Sequence, residues 1–161
     1  MMLVRKNVWK NVILWVTISE VVGLLAGLLT RNATEIYGQM AIKPALSPPD
    51  WLFPVVWTIL YALMGIGAGL VFSQGTNEDR NRGLNLMIGQ LVVNFFWPLV
   101  FFNAQAYGIA ILWLILLLVL VIWMALEFQK TSSLAALLQI PYILWLLFAT
   151  YLNIAVWHLN R

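Results

Sequence analysis

The sequence predicts an all-α integral membrane protein, a bundle of five transmembrane helices. Three observations carry that prediction. The chain has 161 residues of which 63% are apolar, against roughly 45–50% in a soluble domain. Charged residues make up 9%, where about 25% is usual, and a water-soluble fold of this size would expose more apolar surface than water tolerates. Finally, the apolar residues fall into five runs, each of 19 to 24 residues: 8–29, 53–72, 83–102, 108–126 and 134–157. A helix of roughly 20 residues crosses a hydrocarbon core of about 30 Å, and in lipid only helices or closed barrels leave no backbone group unpaired. The length suits one domain, 1–161.

The first run follows Arg5, Lys6 and Lys10. It is too long for a signal-peptide core and no A-x-A site follows, so it reads as retained. An odd number of spans puts the termini on opposite sides. Arg5, Lys6, Lys10, Arg80, Arg82 and Lys130 share the N-terminal side, against Arg31, Lys43 and Arg161 on the other, which favours a cytoplasmic N-terminus. The connection 30–50 is long, polar and carries Arg31, Glu35, Tyr37, Gln39 and Lys43; a loop of that length is commonly functional, for example as a lid. Pro48-Pro49 ends it rigidly, Asp50 is placed to cap the second helix, and Pro54 fits its first turn. The connections 103–107 and 127–133 are short, making spans three to five antiparallel neighbours.

Composition also excludes functions. With no cysteine there is no disulfide, thiolate nucleophile or Cys-ligated metal, and His158 is the sole histidine, so no metal site and no bis-His haem is expected. The net charge of +3 lies at the membrane edges, without a track for nucleic acid. No internal repeat is visible, which argues against an inverted-repeat transporter.

Polar groups at mid-membrane depth are costly and face the bundle interior or a cavity. Glu20 is near the centre of span one, on one face with Gly23 and Gly27. Gln90 and Asn94 are four residues apart in span three, and Trp145 is mid-span in span five. Each has two readings: interhelical glue or bulk packing, or part of a site. Trp57, Tyr61 and Met64 form an aromatic inner stripe in span two. Gly23-x-x-x-Gly27 and Gly65-x-x-x-Gly69 permit close helix approach, within the chain or between protomers. Trp9, Trp51, Trp113, Trp123 and Trp157 fall near span ends, where interfacial anchoring accounts for them.

The segment P-A-L-S-P-P-D-W-L-F-P-V-V-W-T-I-L-Y-A-L-M-G-I-G-A-G-L-V from Pro44 closely resembles the signature of the TspO/MBR (translocator protein, peripheral benzodiazepine receptor) family. Two further runs match its third- and fifth-helix patterns in the right order: G-Q-L-V-V-N-F-F-W-P-L-V-F-F from Gly89 and P-Y-I-L-W-L-L-F-A-T-Y-L-N from Pro141. The resemblance implies a five-helix bundle, commonly a homodimer, whose internal pocket is closed by the loop between helices one and two. It implies binding of protoporphyrin IX and haem-type tetrapyrroles, of synthetic isoquinoline carboxamide and benzodiazepine ligands, and, in animals, of cholesterol. By motif, the pocket would include Trp51, Phe53, Tyr61, Gln90, Asn94, Trp97, Tyr142, Trp145, Phe148, Ala149 and Leu152. The animal sterol motif needs a basic residue soon after the helix-five tyrosine. Here none follows Tyr151 until Arg161, so cholesterol is not the expected ligand. Short tails and loops suggest a bacterial member in the plasma membrane.

The functional expectation is a membrane receptor or sensor for porphyrins, requiring no cofactor, with porphyrin as ligand and lipid as surroundings. Met64 and Met87 are the strongest haem-iron ligands at mid-depth, so metal-free porphyrin fits better. An alternative is light- and oxygen-dependent degradation of protoporphyrin IX. With no nucleophile, base and orienter together, that chemistry would be photochemical, with Trp51 and Trp145 as electron donors. A further alternative is transport of porphyrins or other lipophiles.

Overall fold

The computed structural model describes the backbone of residues 2–74 and 76–161 and the side chains of 8–74, 76 and 78–161. Arg5 and Lys6, part of the charge bias above, lie outside the described side chains. The elements are α1 (Met2–Met40), α2 (Leu52–Gln74), α3 (Asn77–Pro98) running into a π-helical turn (Leu99–Asn103), α4 (Tyr107–Thr131), the short α5 (Ser133–Leu137) and α6 (Ile140–Leu159). Five helical segments are long and apolar enough to cross a membrane, α5 and α6 together forming the fifth. The predicted five-helix membrane bundle is what the chain forms.

The apolar runs locate the spans but understate the helices. The connection expected to span 30–50 is helical to Met40, so the loop proper is only 41–51. Hydropathy falls after Leu29, but no proline interrupts the backbone before Pro44. Thr30 and Thr34 donate their hydroxyls back to Ala26 O and Thr30 O at 2.8 and 2.9 Å, and Arg31 and Glu35 pair one turn apart. The hydrophobic pattern marks where lipid ends, which is not where the helix ends. Likewise α3 begins six residues before the apolar run. Thr76 caps it by accepting from Asp79 N, and Glu78 and Asp79 complement the positive end. Asp50, expected to cap α2, instead pairs with Lys43 at 2.9 Å across the loop.

Close approach of α1 and α2 rests on glycine. Gly65 and Gly69 lie directly against the backbone of Val16 and Val12, where no Cβ fits. Gly23 seats the ring of Tyr61, while Gly27 has open space beside it. Three of the four paired glycines therefore serve packing within one chain. Next to the Gly69–Val12 contact the same two helices are tied by Asn11 Nδ2 donating to Ser73 Oγ at 2.9 Å.

Trp113, expected as an interfacial anchor, points into the bundle and donates its indole N–H to Val93 O on α3 at 2.7 Å. Five residues on from Val93, Pro98 brings no N–H to the ladder, and the helix widens into the π turn that follows, with Ala104 N donating to Leu99 O at 3.0 Å. That turn directs two consecutive residues, Phe101 and Phe102, at the Tyr37 ring, with centroids 5.4 and 5.2 Å away.

Candidate ligand site

The expected site residues fall into three groups. The first is a closed hydrogen-bond chain at the bundle centre joining α2, α3 and α6. Tyr61 donates its hydroxyl to Asn94 Oδ1 at 3.0 Å, and Asn94 Nδ2 donates to the Tyr142 hydroxyl at 2.6 Å. Tyr142 donates to Gln90 Oε1 at 2.9 Å, and Gln90 Nε2 reaches the Met87 and Met64 sulfurs at 3.3 and 3.5 Å. All four polar residues are buried. Each hydroxyl and amide contributes a donor to the next group, so the chain has a single direction. Gln90 and Asn94 face inward together because they are one helical turn apart.

The second group is an aromatic corner. Phe53, at the start of α2, meets Trp145 of α6 edge to face at 5.8 Å. Trp145 contacts Phe148 at 5.6 Å, and Phe148 stacks towards Tyr151 at 6.3 Å. Beside it α2 and α6 leave a cleft of about 410 Å³ lined by Val56, Ile59, Leu60, Pro141, Leu144, Trp145 and Phe148. The Trp145 indole nitrogen is buried and has no acceptor. Among the described residues its N–H is the one buried polar group of the corner without a partner, a state that costs roughly 1–3 kcal/mol. Ala149 and Leu152 carry the buried face of α6 onward from Trp145.

Trp97 belongs to a third group. It stacks on Phe101 at 5.2 Å and donates to Asn153 Oδ1 at 3.4 Å, next to Phe102, Tyr107 and Tyr37. This cluster closes the bundle at the loop end. Trp51 joins none of the groups: it is 66% exposed. Sequence reasoning placed Trp57 in the stripe but not the site, yet it packs on both tyrosines of the first group, 5.7 Å from Tyr61 and 6.1 Å from Tyr142. The missed cleft-lining aliphatics gave no signal, since apolar residues in an apolar span do not stand out. Tyr37 was legible only as an aromatic in a polar stretch. Among the described residues no group of His, Cys, Asp or Glu is placed to hold a metal ion. Glu20 is half-buried beside Tyr61 and makes no hydrogen bond or ion pair among the described residues.

Comparison with known proteins matches residues 15–158 to the model of the TspO/MBR family. The chain is 36% identical over 140 residues to the tryptophan-rich protein TspO of Chlorobaculum tepidum, covering 86% of this chain and 89% of that one. It is 39% identical over 121 residues to the human translocator protein, covering 74% and 72%. To the tryptophan-rich sensory protein of Cereibacter sphaeroides it is 33% identical over 123 residues, covering 73% of each. A match across nearly all of the bundle, at these identities and in the order of the motifs above, assigns the chain to the TspO/MBR family.

Proposed function

We propose that the protein is a membrane receptor or sensor for porphyrin-type ligands, and that the ligand is held at the aromatic corner of α2 and α6. The observation that carries the reading is the Trp145 indole N–H, buried without an acceptor between Phe53 and Phe148. Ligand sites are mostly apolar with a few convergent polar groups. A flat macrocycle offers a π surface to such rings, and its carboxylates or ring nitrogens supply the acceptor that Trp145 lacks. The name of the Cereibacter relative, a sensory protein, agrees with this role. Ala149 and Leu152 extend the contact surface. The Tyr61–Asn94–Tyr142–Gln90 chain, with Trp57 packed on its two tyrosines, holds the helices in place. A homodimer in the bacterial plasma membrane is the setting proposed.

The test is titration of the purified protein with protoporphyrin IX, following tryptophan fluorescence and porphyrin absorbance in darkness and then under light. Saturable quenching with an unchanged spectrum under light is the expected result. A new absorbing product that requires light, oxygen and Trp145 would replace the receptor with a degrading enzyme. Absence of saturable quenching would remove the porphyrin reading.

A further inference from the structure

The fifth membrane span is not one continuous helix. α5 ends at Leu137 and α6 starts at Ile140, with Gln139 as the residue that opens α6. In an unbroken helix Gln139 N would donate to Ala135 O, four residues back. Here it donates to Ala136 O at 3.0 Å, and two residues on Pro141 brings no N–H for Leu137 O. The vacated Ala135 carbonyl is taken by the side chain of Gln139, whose Nε2 donates to it at 3.1 Å and reaches Leu63 O of α2 at 3.5 Å. Gly67, one turn after Leu63, makes room for the amide: a Cβ there would collide with Gln139 Nε2 and lie 3.1 Å from Ala135 O. Gln139 is fully buried, and among the described residues its Oε1 has no partner. The amide therefore serves two carbonyls through its N–H groups alone.

Among the described residues this is the one hydrogen bond from the fifth span directly to α2; Tyr142 holds α6 to α3 instead. α2 lies closer to α5 than to α6, so the fifth span parts from α2 as it passes Gln139, and the cleft opens just beyond. Its walls include Leu60, three residues before Leu63, and Pro141, two after Gln139. We propose that Gln139, seated on Gly67, is the joint between α2 and the fifth span and a positioning residue for the cleft. By tying the start of α6 to α2 it sets the separation of the cleft walls, and through that the fit of a flat ligand at Trp145. For the ligand the proposal rests on the reading above; for the joint it rests on these contacts alone. Leverage makes the joint matter. Trp145 is six residues beyond Gln139, about 9 Å along a helix. A small rotation at the break therefore moves its ring against Phe53, and no continuous backbone ladder crosses the break to resist it.

The test uses the full chain. Because it has no cysteine, Ile59→Cys and Leu144→Cys place one spin label on each exposed wall of the cleft, and pulsed electron resonance reads their separation before any ligand is added. Gln139→Leu keeps the volume and loses both N–H bonds, so the separation should lengthen and spread. Without the labels, the same substitution should weaken protoporphyrin IX binding about tenfold, the usual contribution of one such hydrogen bond, although Trp145 is untouched. Gly67→Ala displaces the amide and should produce the same two changes. Adding Gln139→Ala to Gly67→Ala gives the new methyl the space the amide occupied, so the double variant should be no worse than the single one. An unchanged separation in Gln139→Leu overturns the joint. A longer separation with unchanged affinity overturns the positioning role, and additive losses in the double variant overturn the seating of Gln139 on Gly67. Should Gln139→Leu fail to fold, Gly67→Ala and the double variant carry the same decision. If the unaltered protein does not bind porphyrin, the ligand reading falls while the separations still decide the joint.

Discussion

The centre of the bundle and its aromatic corner lie one helical turn apart on α6, at Tyr142 and Trp145, and they use their polar groups in opposite ways. At Tyr142 the hydroxyl is engaged on both sides, in a chain from Tyr61 through Asn94 to Gln90 and two methionine sulfurs. At Trp145 a buried N–H has nothing to donate to. Both regions are polar residues at membrane depth, the condition that marks functional sites. Depth alone does not separate them, whereas satisfaction does. The closed chain holds helices together, and the open donor of the corner is the group proposed above to meet a ligand. The ligand site proposed above follows that division: the polar residues of α3 position the helices, and α6 is proposed to meet the ligand.

Asn94→Leu should break the comparison most severely. It removes two hydrogen bonds and strands the hydroxyl partners on α2 and α6, so thermal denaturation in detergent should show a loss of about 2–3 kcal/mol. Porphyrin affinity per folded molecule should stay within about threefold; a loss of binding with full stability would move Asn94 into the site. Tyr142→Phe also removes two hydrogen bonds but keeps the packed ring, and chemical denaturation should register about 2 kcal/mol. Trp145→Phe keeps a ring against Phe53 and Phe148 but deletes the open donor. Stability should hold or rise slightly, while fluorescence titration should show affinity down about tenfold. Trp51→Phe should do least: binding in darkness should change by less than about twofold, because the side chain is exposed and lies apart from the corner.

How much of this was legible in the sequence follows from what each signal measures. Apolar runs report lipid contact, so they gave five spans and hid the last eleven residues of α1, a polar stretch in which Thr30 and Thr34 satisfy their hydroxyls on the helix itself. The pairing of Gln90 with Asn94 on one face followed from their spacing. Their partners Tyr61 and Tyr142 are on other helices, and no periodicity connects three helices. Motif resemblance brought those residues together instead. It also carried Trp97 and Trp51 along, which the fold puts at the loop-end cluster and at the surface. Whether a mid-membrane polar group is satisfied is a tertiary fact. The open Trp145 N–H was therefore beyond reach of the sequence alone.

The central claim is tested most directly by the indole N–H resonances of the nine tryptophans, assigned by single Trp→Phe variants and followed while protoporphyrin IX is added in darkness. Trp113, already donating to Val93 O, is the internal reference. The account predicts that the Trp145 N–H resonance shifts as its acceptor arrives, saturating with the quenching curve, while Trp113 stays in place. Saturable binding that leaves the Trp145 resonance where it was would contradict it.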